Sequence, residues 1–64
     1  MVLEFLQGQL EFYQEQLLKA LDEQEQEENF QHKAYYAAQI IWYKKQIAKL
    51  KREIKKEKKI LEEE

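Results

Sequence analysis

The sequence predicts an all-α protein: an antiparallel two-helix hairpin of coiled-coil type that assembles with further copies into a helical bundle. Three observations carry that expectation. The 64-residue chain holds no Pro and one Gly, whereas all-β folds need turn residues roughly every 8–12 positions. Its apolar residues recur at steps of three and four, the spacing of one helical face. The third observation is charge. Residues 1–32 carry eight acids against Lys19, net −7, and residues 33–64 carry ten bases against five acids, net +5, within an overall −2. Opposite charge on the two halves favours antiparallel pairing within the chain, or head-to-tail pairing between chains.

The first helix is expected over about residues 2–27. Leu3, Leu6, Leu10, Tyr13, Leu17 and Ala20/Leu21 form its seam, and Gln14-Glu15-Gln16 before Leu17-Leu18 breaks any strand-like alternation. Phe5 and Phe12, one heptad apart, stand about a third of a turn from that seam. Gly8 falls on the polar side, where it costs up to about 1 kcal/mol relative to Ala and reads as a tolerated surface glycine.

The second helix is expected over about residues 30–61. Tyr36, Ile40, Tyr43, Ile47, Leu50, Ile54, Glu57 and Leu61 run in unbroken 4-3 spacing, a heptad seam with one polar interruption. Phe30, Ala34, Ala37, Ile41 and Ala48 define a second face, and Tyr35 and Trp42 a third direction. From Ala34 to Tyr43 only Gln39 is polar, so this segment calls for cover on more than one side.

The reversal is expected within about residues 25–31. Extending the first seam in sevens misses the second by two residues, and a single insertion of three or four repairs no such mismatch. Asn29 is the best turn residue, able to end the first helix in a left-handed conformation or to cap the second. Glu and Gln around it favour helix, so the alternative is one continuous helix of about 96 Å in a coiled-coil rod. In the hairpin, Leu21 faces the Ala37 region, Leu17 the Ile41 region, Leu10 the Ile47/Ala48 region and Leu3 the Ile54 region. Glu4, Glu11 and Glu15 then flank Lys44, Lys45, Lys51 and Lys55 in a salt-bridged face.

One module over 1–64 has little core of its own. Below about 70–80 residues a single core rarely supplies more than 3–5 kcal/mol. Phe5, Phe12, Phe30, Ile41 and Trp42 remain after the internal seam closes, and they are the expected oligomer or partner interface. The natural cover is a second copy of the chain, with another protein as the alternative.

Catalytic chemistry finds little purchase. The chain has no Ser, Thr or Cys, hence no common covalent nucleophile, disulfide or thiolate site, and no Gly-rich phosphate loop. His32 follows Glu28 by four, but Asn29 stands where a Glu-x-x-His metal motif needs its carboxylate. No enzyme, metal or cofactor is therefore expected. The aromatic group of Phe30, Tyr35, Tyr36, Trp42 and Tyr43 reads as subunit packing, since no set of polar ligand contacts accompanies it.

The stretch from Lys44 to Lys59 carries nine bases against Glu53 and Glu57. Lys44, Lys45, Lys49, Lys51, Arg52, Lys55 and Lys56 are candidate nucleic-acid contacts, the rival to a solvated face. A membrane surface is not expected, because the acidic first half would be repelled by anionic lipid. Lacking an apolar span and a basic leader, the chain is expected to be cytoplasmic.

The expected function is a non-enzymatic self-association and protein–protein interaction module. The Glu/Lys-rich KREIKKEKKILEEE fits a de novo designed bundle. Mid-helix Gly8, the Gln-rich stretches and a turn without Gly or Pro instead fit a small accessory or assembly protein of bacterial, phage or plasmid type. The alternatives are a nucleic-acid-binding adaptor using helix 44–59 and a coiled-coil rod serving as a scaffold.

Overall fold

Two helices, α1 (Val2–Gln26) and α2 (Phe30–Glu63), pack against each other as an antiparallel hairpin. The computed structural model of the chain describes residues 2–63. The continuous rod does not form, and the Cα envelope measures 53 × 14 × 12 Å.

Cap chemistry makes the turn. The Asn29 side-chain oxygen accepts the backbone N–H of Gln31 (2.9 Å) and of His32 (3.3 Å), satisfying two of the donors a helix start leaves open. The Asn29 carbonyl accepts the Lys33 N–H at 3.0 Å, beginning α2. Behind it, the Asn29 N–H donates to Glu27 Oε1 at 3.1 Å. Among the described residues none has a positive φ, so the left-handed termination open to Asn29 is not used. Gln24 Nε2 then ties the helices together by donating to the Lys33 carbonyl at 3.3 Å.

The core follows the two seams. Leu6, Ala20, Ile40, Ile47, Leu50 and Ile54 are buried. Leu6, Leu50 and Ile54 form one cluster, with Leu3, Leu10 and Tyr13 packed against it. Leu3, Leu10 and Leu17 occupy heptad positions a of α1, with Leu6, Tyr13 and Ala20 at d; in α2, Ile40, Ile47 and Ile54 are a, and Tyr36, Tyr43, Leu50 and Glu57 are d. Leu17, Tyr36, Tyr43 and Glu57 are half-buried. Leu61 is exposed, because α2 has 34 residues to the 25 of α1 and its last turns outrun the partner helix.

One expectation is corrected here. No lysine of α2 lies within 4.0 Å of a carboxylate among the described residues; the close contact of this kind is between Glu27 Oε2 and His32 Nδ1, 3.4 Å apart. The heptad explains why. The positions flanking the seam beside Lys44 and Lys51 are Gln7 and Gln14, whereas Glu4 and Glu11 stand one step further round α1 and Glu15 points outward. Ile40 is buried in the seam and Ile41 lies outside it, as their heptad positions require.

Candidate interaction surface

What the hairpin leaves uncovered is its most distinctive feature. Phe5, Phe12, Phe30, Ile41 and Trp42 are between 49% and 84% exposed, and Val2, Leu18, Leu21, Tyr35, Ile60 and Leu61 are exposed as well. Fewer large apolar side chains are buried than exposed. From Ala34 to Tyr43, only Ile40 is buried within the single chain, so the cover that this apolar segment calls for is not supplied by α1 alone.

The exposed residues fall on two sides of the hairpin. At α-helical angles, Phe5, Phe12, Tyr35 and Trp42 share a side with Gln9, Gln16, Gln39 and Gln46. Ring packing joins the two helices on that side. Tyr13 meets Phe12 edge-on at 5.6 Å and Trp42 edge-on at 5.6 Å, and lies 6.1 Å from Tyr43. Trp42 and Tyr43 are 5.3 Å apart, continuing the row. Alongside runs a shallow groove of about 430 Å³ lined by Glu4, Phe5, Gly8, Gln9, Phe12 and Tyr13. At Gly8 the groove is open: a Cβ added there would meet nothing within 4 Å.

Sequence periodicity placed Trp42 apart from the seam and missed its contact with Tyr13. Trp42 reaches Tyr13 from outside the seam by the size of its ring, which residue spacing does not encode. The signal available was the coincidence of level: in an antiparallel hairpin turning at 27–29, residue 13 stands beside residues 42 and 43.

The other side carries Leu18, Leu21, Phe30, Ala34 and Ile41, interleaved with Lys44, Lys51 and Lys55. A groove lined by Lys51, Ile54, Lys55, Lys58, Lys59 and Glu62 continues it toward the end of α2. Lys44, Lys45, Lys49, Lys51, Arg52, Lys55 and Lys56 are all exposed.

The perturbed acid–base groups sit at the turn and have structural causes. The Asn29 backbone N–H, with smaller help from His32, holds the Glu27 carboxyl below its ordinary range. Desolvation first, then the nearby Glu23 carboxylate, pushes the Tyr36 phenol up. Among the described residues no three His, Cys, Asp or Glu side chains converge to hold a metal ion, and no helix is long and apolar enough to cross a membrane.

No protein-family model, curated protein or solved structure matches this chain.

Proposed function

We propose that the chain is a non-enzymatic helical self-association module, working as a homo-oligomeric bundle whose remaining surface serves protein–protein interaction in a small accessory or assembly role. The observation that carries this reading is the imbalance between a six-residue core and the exposed Phe5, Phe12, Phe30, Ile41 and Trp42. Aromatic residues of this kind anchor interfaces, because each removes a large apolar surface from water with few rotors to freeze. The absence of Ser, Thr and Cys supports a non-catalytic role.

Sedimentation equilibrium of the whole chain and of Trp42→Ala tests it. The variant is expected to associate more weakly by more than about 1 kcal/mol, with its helix content retained. Wild-type chain that stays monomeric at high micromolar concentration overturns the reading.

A second reading is favoured by one observation: the lysines of α2 have no carboxylate partner within 4.0 Å among the described residues. Lys44, Lys45, Lys49, Lys51, Arg52, Lys55 and Lys56 are then available to phosphates, as a nucleic-acid adaptor requires. Binding to RNA or DNA should fall steeply with salt, and no retention at low salt eliminates it.

A further inference from the structure

We infer that the Phe5–Phe12–Trp42–Tyr35 face binds the same face of a second copy in antiparallel alignment, the turn of one hairpin lying over the open end of the other. The inference rests on the self-association reading and adds its face and direction.

The two sides of the hairpin differ in what they present. The aromatic side has Gln9, Gln16, Gln39 and Gln46 at its centre, uncharged residues that can hydrogen-bond to their own kind across a two-fold axis. The side bearing Ile41 carries Lys44, Lys51 and Lys55 from α2 and Glu4 and Glu11 from α1, charges that pairing through that side would take out of water, whereas on the aromatic side Lys19, Lys49 and Lys56 stand toward the ends. The aromatic side, uncharged at its centre, is therefore the better suited to self-pairing.

Its layout is also self-complementary. Phe12 and Trp42 stand at the same height, on either side of Tyr13. Phe5 lies one heptad from Phe12 toward the open end, and Tyr35 one heptad from Trp42 toward the turn. A two-fold axis crossing the hairpin at the Phe12–Trp42 level sets Phe12 and Trp42 against their symmetry mates, brings Gln9 within one residue of the second copy's Gln16, and lays Phe5 and Tyr35 over the second copy's Lys19 and Lys49, cations that can rest on the ring faces. The envelope of 53 × 14 Å gives a face on the order of 700 Å² before side chains are added, close to the roughly 800 Å² per partner of a standard interface.

Charge selects the direction. Asp22, Glu23, Glu25, Glu27 and Glu28 cluster at the turn against Lys19 and Lys33, while Lys44 to Lys59 holds nine bases against two acids. Antiparallel copies lay the acidic turn of each over the basic stretch of the other. Parallel copies bring the two acidic turns together at one end, a like-charge juxtaposition that suppresses that alignment.

The test uses three chains. Phe5→Lys should raise the dimer dissociation constant about tenfold or more, while Ile41→Lys leaves it within about threefold. Both positions are exposed, so helix content serves as the check that each variant folds. In the third chain, Glu28→Cys carries a nitroxide at the turn, its thiol the only one present. Antiparallel copies place the two labels about 45–50 Å apart, from a rise of 1.5 Å per residue; parallel copies bring them within about 25 Å. A short distance overturns the direction, and a larger effect of Ile41→Lys overturns the face. A chain that shows no label pair and sediments as a monomer instead overturns self-association itself.

Discussion

Asn29 does at one position what hairpin turns elsewhere do with Gly or Pro. Its side chain closes the first turn of α2 through the Gln31 and His32 N–H groups, and its own N–H is taken up by Glu27. Because the cap works in an ordinary backbone region, the turn needs no left-handed residue. Asn29→Ala leaves those donors to solvent and should cost about 1 kcal/mol, with Asn29→Asp restoring most of the loss. Thermal unfolding followed by circular dichroism checks this. Equal melting temperatures for the alanine variant and the parent would mean that the turn is held by helix packing rather than by its cap.

The helices show what one sequence reveals and what it hides. The hairpin was legible because the two seams are out of register by a spacing that one insertion cannot heal, and Ile40, Ile47, Leu50 and Ile54 follow the heptad inward. The pairing of charges was not legible from net charge. It depends on which acids stand beside the seam, and in α1 those positions hold Gln7, Gln9, Gln14 and Gln16, while Glu4, Glu11 and Glu15 stand further round. Within the chain the short link at 27–29 sets the antiparallel direction, and close ion pairs between the helices are not needed for it. The candidate surface was legible as a set of residues left over from the seams. Its division into an aromatic–glutamine side and an apolar–lysine side needed both helices in place, because each side is built half from α1 and half from α2.

For the assembled particle, length and mass together discriminate between the forms open to this chain. A lone hairpin spans 53 Å between its furthest Cα positions. Two hairpins aligned antiparallel about the Phe12–Trp42 level overlap along all of α1 and leave only the last turns of each α2 protruding, because α2 outruns α1. That particle should be about 60 Å long at 1.5 Å per residue. Small-angle X-ray scattering on a size-separated peak is expected to give the mass of two chains with that maximum dimension, shifting toward one chain as the sample is diluted. A rod near 95 Å would show the seams of α1 and α2 satisfied by other chains and the turn at Asn29 opened, which would remove the intramolecular hairpin as the working form. In that exchange Tyr13 of one chain would meet Trp42 and Tyr43 of another, so the aromatic row would be rebuilt between chains.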